Sequence, residues 1–532
     1  MAEADQRELP REGRANRRAG QPGRGGAEGD RRRARREAGG LKQLPWRNLV
    51  NPYAPIDVLD PERLEKIHDA SLRILEELGL EFLSEEALAI LAKAGADVDR
   101  STKCVRFDRG LVADHVAKAP REFTLHARNP ARNVVIGGNH INFCAVSGAP
   151  NCSDLDRGRR PGTYADYCDL LRLMHSLNII HMAAGYPVEP IDLPPSTRHL
   201  DAHYAYITLT DRVWQPSAIG PHRVNDGIAM NCIARGIGRE EIVDKPGLLT
   251  TINTNSPRRV DGPMLDGLMA MARAGQAAVI TPFTLSGAMA PATIAGALAQ
   301  QNAEALGVIA FCQMVRPGAP VLYGGFTSNV DMKTGAPAFG TPEYTRAALA
   351  GGQLARRYDL PYRSSNACAA NAVDAQAAYE SEMSTWAAVM AHANVVKHGA
   401  GWMEGGLVAS FEKLIVDVEI LQMMAEFLQP IEVTEDTLAL DAIREVGPGG
   451  HFFGAAHTLA RYETAFYAPI VSDWRNYETW REAGALDAAQ RASRIWKQVL
   501  AEYQPPPLDP VIDEALRDYV ARRKREGGID MS

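Results

Sequence analysis

The chain is expected to fold as an α/β protein, a TIM (β/α)8 barrel with an N-terminal α/β lead-in and C-terminal helices. Eight short apolar runs recur between residues 139 and 410: HINFCAVSG, NIIHMAAG, VWQPSAIG, GLLTTINTN, AAVITPFTLSG, PVLYGGFTSN, LPYRSSNA and ANVVKHGAG. Helical stretches such as NDGIAMNCIARGIG, LDGLMAMARAG and PEYTRAALAGGQLARRYD separate them. Strands alternating with helices imply βα units and parallel pairing, and eight such units in roughly 270 residues match a barrel. The dinucleotide fingerprint that would favour an open doubly wound sheet is missing after the first strand.

The elements follow in order. Residues 1–44 carry twelve Arg or Lys against seven Asp or Glu and almost no large apolar side chain, which predicts a basic, disordered tail. RRRARR could attract nucleic acid, but acids are interspersed and no aromatic rings accompany the arginines, so nucleic acid is not an expected partner. Residues 45–138 form the lead-in. DPERLEKIHDASLRILEELGLEF predicts a helix capped by Asp60, and SEEALAILAKAGADV predicts another from Ser84 to Gly95. The barrel takes 139–410. After it, 411–532 predict a helical extension, with SFEKLIVDVEILQMMAEFL and RASRIWKQVLAEY as its strongest pieces. GPGGHFFG lacks the Lys and Ser or Thr of a phosphate loop and reads as a tight turn.

Composition narrows the setting. Of 532 residues, 45% are hydrophobic and 23% charged, as in a soluble globular protein. Seven scattered cysteines without a CxxC pair suit reduced thiols, hence a cytoplasmic location. The uncharged stretch between Arg273 and Glu304 is long enough to span a bilayer, but Pro282, Gly287, Pro291 and Gly296 interrupt it, so no membrane span is expected.

In such a barrel the chemistry sits at the C-terminal ends of the strands. Those ends supply His181 and Tyr186; Trp214 and Gln215; Asn253, Asn255 and Arg258; Phe283; Tyr323, Phe326 and Asp331; Arg363, Ser364 and Asn366; and His398, Trp402 and Glu404. No GxSxG elbow marks a nucleophile. His199 and His203 in RHLDAH stand at i and i+4 but lack the HExxH glutamate and further ligands, so no metal is expected. What remains is aromatic rings with a carboxylate, a combination that receives quaternary ammonium groups. GAGWMEGG brings Trp402 and Glu404 together between glycines.

AHANVVKHGAGWMEGGLVASFEKLIVDVEIL, with VDAQAAYES before it and VGPGGHFFGAAHT after it, resembles the trimethylamine methyltransferase family, as does RILEELGLEFLSEEALAILAKAGADVD. The resemblance implies a barrel that passes a methyl group from a methylated amine to the cobalt of a corrinoid (cobalamin) carried by a separate, cognate protein. Methanogen members that use trimethylamine carry pyrrolysine just before the DxQxxYE segment. Here ACAANAVDAQAAYE has ordinary residues, with Asn371 at about that position, as in members resembling glycine betaine:corrinoid methyltransferases. A quaternary ammonium leaves as a neutral amine without proton donation, whereas a tertiary amine must first be activated. The expected substrate is therefore a quaternary amine, with trimethylamine or another tertiary amine as the alternative, and a non-catalytic betaine-binding barrel as the rival from another class. Trp402, Tyr323 and Phe283 are the expected cage, Glu404 its charge partner, Arg363 or Arg258 a carboxylate holder, and His398 and Asn255 further contacts. No single catalytic residue stands out, and self-association into a homo-oligomer is left open.

The tail's composition yields a first expected outcome: deleting residues 1–44 leaves the melting temperature and methyl transfer nearly unchanged. A large loss in either would make the tail structural.

Overall fold

The computed structural model describes residues 40–529 apart from Ala184. Residues 1–39, most of the expected tail, therefore lie outside the described part. Gln43 and Leu44 do not. Gln43 Nε2 donates to the Ser176 carbonyl at 2.8 Å, and the Leu44 amide donates to Gln422 Oε1 at 2.8 Å. A deletion ending at residue 39 keeps both bonds and makes the cleaner test.

The eight expected runs are eight parallel strands: β1 (His140–Ala145), β2 (Met182–Ala183), β3 (Val213–Trp214), β4 (Leu249–Thr254), β5 (Ala277–Ser286), β6 (Val321–Gly324), β7 (Tyr362–Ser365) and β8 (Val395–Ala400). Each pairs in parallel with the next in chain order; a Trp214–Leu248 bridge joins β3 to β4, and β8 returns to β1. The sheet is a closed (β/α)8 barrel. The outer helices are α1 (Tyr164–Ser176), α2 (Arg198–Leu209), α3 (Pro221–Arg235), α4 (Gly262–Arg273), α5 (Ile294–Val315), α6 (Pro342–Arg357), α7 (Ala375–Met390) and α8 (Phe411–Phe427). The uncharged stretch before Glu304 is strand, turn and buried helix; no helix among the described residues is long and apolar enough to cross a membrane.

Period-two alternation decides what enters the barrel. Cys144, Met182, Val213, Leu249, Ala277, Val279, Leu322 and Val395 form its lower core. Leu125, Val134 and Ile136, from the hairpin Glu122–Leu125 and Val134–Gly137, pack against them and plug the N-terminal end. The lead-in helices begin where the caps predict: Asp60 accepts from the Arg63 amide, Ser84 from the Ala87 amide, and Gly95 closes the second helix at φ +100°.

After α8 come two long helices, α9 (Ala488–Ala501) and α10 (Pro510–Arg525). Both return to the barrel through its acidic side chains. Trp496 Nε1 donates to Glu412 at 2.9 Å, while Tyr519 and Arg523 converge on Asp226 of α3 at 2.7 and 2.8 Å.

Candidate active site

A cavity of about 440 Å³ opens among the C-terminal ends of the strands. Residues from all eight strands, or from the loops just after them, line it, so the site lies where barrel chemistry is expected. Its deepest polar layer follows from the parity of the core. Two residues beyond Val213, Leu249, Val279 and Val395 stand Gln215, Thr251, Thr281 and Lys397, and beside Gly324 stands Arg363.

Lys397 is the centre of this layer. It is 3% exposed, and its Nζ donates to Thr251 Oγ1 at 2.8 Å and Gln215 Oε1 at 3.1 Å, across the barrel. Burial first, and the nearby Arg363 second, push its ammonium down to about 7. Burial likewise pushes Arg363 down to about 10; its guanidinium lies 5.3 Å over the Phe326 ring. Among the described residues neither cation forms an ion pair. Arg363 Nε, Thr281 Oγ1 and Tyr186 Oη are buried and unpartnered. The floor can therefore receive an anion.

Above the floor runs an aromatic wall. Phe283 stacks on Phe326 at 5.2 Å, and Trp402 meets Phe326 edge-on at 6.1 Å. His398 stacks on Trp402 at 5.2 Å. Burial, then Lys397 and Arg363, holds the His398 imidazole well below its ordinary value, so it is neutral. Glu189 is the acidic side chain lining the cavity; burial raises its carboxyl, and Arg198 lies 3.6 Å away.

The glycines of GAGWMEGG set this wall. Gly399 passes so close to β1 that a Cβ would sit 2.8 Å from the Cys144 carbonyl. Gly401, at φ +94°, turns the chain, and its amide donates to Asp417 Oδ2 at 2.8 Å. Trp402 and Met403 then pair back on Val408–Ser410. A strand ends in this ring because the barrel needs a lip there.

Phe283, Arg363, His398 and Trp402 thus meet around one cavity. Four other candidates lie outside its lining, Tyr323 of the expected cage among them. Tyr323 follows inward-facing Leu322, so alternation turns it outward, where its hydroxyl meets Gln301 and Asn302 of α5. Glu404 accepts from Arg159 at 2.9 Å and lies outside the cavity lining. Arg258 reaches back to the carbonyls of Leu78 and Gly79, tying the lead-in to the barrel. Asn255 accepts from the Asp261 amide in the turn before α4. Asn371 is exposed in the segment after β7. His199 and His203 lie buried on α2, with His199 Nε2 2.8 Å from Asp226.

Lys397 escaped the sequence reading although its signal was present. A lysine inside an otherwise apolar barrel strand, two positions from an inward valine, must point into the lumen.

A closed parallel barrel with a polar, cationic cavity floor under aromatic rings at the C-terminal ends of its strands has the architecture of a barrel enzyme. The chain belongs to the trimethylamine methyltransferase family, whose model matches residues 24–528, and it is a methyltransferase. It is 40% identical to a glycine betaine methyltransferase of Desulfitobacterium hafniense over 473 residues, 89% of this chain and 98% of that protein. It is 31% identical to a trimethylamine methyltransferase of the same species, covering 88% of this chain and 95% of the other. Among solved structures, the monomethylamine methyltransferase of Methanosarcina barkeri aligns over 87% of this chain and 88% of that one, with 11% identity and a TM-score of 0.46.

Proposed function

We propose that this methyltransferase takes its methyl group from a quaternary amine that also carries a carboxylate, of the glycine betaine type. The acceptor is the Co(I) of a corrinoid on a separate protein in the cytoplasm. One observation carries the substrate reading: Lys397 and Arg363 stand buried on the cavity floor without a counter-charge. Buried charges are costly unless paired, and a substrate carboxylate supplies the pair. The same two cations repel a bare ammonium ion, so a zwitterion is favoured over a quaternary amine without a carboxylate.

With the carboxylate on the floor, the ammonium group rises to the level of Phe283 and Trp402, whose rings attract it. A cavity of about 440 Å³ suits a small amine and leaves the corrinoid on its own protein at the mouth. When presented, the reduced corrinoid supplies a strong nucleophile for the methyl carbon. The chain's own contribution is positioning: floor and wall hold the amine so that an N–CH₃ bond faces the opening. The leaving amine is neutral and requires no proton, in keeping with a neutral His398.

The test exposes Co(I) cobalamin, free or on the corrinoid protein, to the enzyme with a panel of amines. Methyl-Co(III) is expected to form with glycine betaine or a close carboxylated relative and not with tetramethylammonium. Conversion with trimethylamine alone would overturn the reading. Ligand binding without any change in the cobalamin spectrum would make the barrel non-catalytic.

Trp402 gives a second expected outcome. Trp402→Ala weakens binding of the quaternary amine by about 1–2 kcal/mol, and Trp402→Phe retains part of it. The control ligand is tert-butylacetate, with carbon in place of the ammonium nitrogen. Titration calorimetry should show a selective loss for the cation; equal losses would reduce Trp402 to packing.

A further inference from the structure

Lys397 is the only amine or thiol among the described residues that line the cavity. Its two hydrogen bonds define what that amine presents to a ligand. Gln215 Oε1 is an acceptor, and Thr251 Oγ1 gives its own proton to the same oxygen at 3.3 Å, so toward Lys397 the threonine also accepts. Both bonds therefore take an N–H from Nζ. An ammonium carries three such hydrogens and a free amine two. On losing a proton Nζ keeps both bonds, and its lone pair occupies the direction that no hydrogen bond uses. Burial and the neighbouring Arg363 bring the ammonium down to about 7, so the free amine is well populated at neutral pH. An exposed lysine, titrating near 10.4, holds about a thousand-fold less of it.

We infer that Lys397 is a carbonyl-reactive lysine, and that the cavity takes the aldehyde counterpart of its carboxylated quaternary amine as a reversible covalent ligand. The ligand's cationic end rests on the substrate reading above; the lysine's reactivity rests on the floor alone. A carboxylate held by Nζ has its carbon about 3–3.5 Å from that nitrogen, the separation of a near-attack pair. An aldehyde in the same place presents an electrophilic carbon there. The lone pair of Nζ attacks this carbon, and the second C=O electron pair moves onto oxygen. Arg363 meets that oxygen: it is 2% exposed, lines the cavity, and its Nε is buried without a partner, which makes it a donor where negative charge develops. The carbinolamine then loses its oxygen with the two protons of the amine as one water, leaving C=N. No oxidant or reductant is consumed, and water reverses the step. Cys144 does not compete, since its buried thiol is pushed up to about 12 and lies outside the lining. A carboxylate ion is not electrophilic, so the substrate itself forms no such bond, while its aldehyde blocks the floor.

The experiment incubates the purified full chain at neutral pH with trimethylammonioacetaldehyde and cyanoborohydride, which reduces an imine to a stable secondary amine. Peptide mapping by mass spectrometry then locates the modified lysine. Lys397 is expected to take one group at least about tenfold faster than every surface lysine, and glycine betaine is expected to slow it. Lys397→Met, checked for folding by circular dichroism, should lose this fast labelling. Should that variant fail to fold, the peptide map of the wild type identifies the reacting lysine by itself. A second arm uses 3,3-dimethylbutanal, with carbon in place of the ammonium nitrogen, and is expected to label Lys397 more slowly. Equal rates for the two aldehydes leave the lysine reactive and overturn the quaternary-amine reading instead. Labelling in which Lys397 is unmodified, or no faster than the surface lysines, overturns the inference whatever the substrate. Fast labelling of Lys397 that glycine betaine fails to slow overturns it too, since aldehyde and substrate would not share the floor.

Discussion

Replacing Lys397 by Met is expected to raise KM for a carboxylated quaternary amine about 30- to 150-fold while making the protein more stable. The first effect is the loss of a charge-assisted bond to the substrate carboxylate, about 2–3 kcal/mol. The second follows because folding buries an ammonium with only Thr251 and Gln215 as partners, and methionine fills the space without that cost. The pH dependence separates the two. The folded ammonium titrates near 7 and the unfolded one near 10.4, so between these values the unfolded chain binds more protons. Stability contributed by this site therefore rises as pH climbs from about 7 toward about 10.4, and the full penalty is present below about 7. Substrate binding runs the other way. It needs the ammonium, so KM for the carboxylated amine rises above about pH 7 in the wild type and is flat with pH in Lys397→Met. Steady-state kinetics across pH, with thermal melts of both proteins, measure all four quantities. An unchanged KM in Lys397→Met would remove the carboxylate from the floor.

The barrel could be read from the sequence because its strands are short apolar runs in strict alternation with helices, a pattern that local residue types create. The site could be read only in part. Choosing residues by type at strand ends found Trp402, Phe283, Arg363 and His398, which share the cavity. It also selected Tyr323, whose ring fits a cage but whose parity turns it outward to α5. It passed over Lys397, whose parity brings it to the centre. In a barrel, the register of inward residues decides function before residue type does, and register becomes visible once an inward anchor such as Val395 is fixed. Arg258 and Glu404 lie outside the lining for a different reason: each is satisfied by a distant partner, Leu78 and Gly79 in one case and Arg159 in the other. Long-range pairings of that kind leave no local trace.

Asp417→Ala is expected to cost about 3–5 kcal/mol of stability, the range for breaking a buried ion pair from one side. Asp417 and Lys413 are adjacent turns of α8, both with fully buried side chains, and they bond directly. Ser381 Oγ accepts from the same ammonium at 2.6 Å, which is too little to compensate it alone. The carboxylate's other oxygen accepts from the Gly401 amide, so its removal also orphans a buried donor at the turn that delivers Trp402. Two consequences should separate in a second variant. Lys413→Met/Asp417→Leu leaves no unpaired charge and should recover most of the lost stability. It does not restore the partner of Gly401, so the strand-8 lip stays loose and the affinity for a quaternary amine stays reduced. Chemical denaturation of the three proteins, paired with ligand titration, reads both effects. If Asp417→Ala unfolded within about 0.5 kcal/mol of the wild type, the size of an ordinary surface change, the pair would not be holding the lip. If the double variant bound substrate as tightly as the wild type, the position of Trp402 would be set by its ring contacts with Phe326, Phe339 and His398 instead.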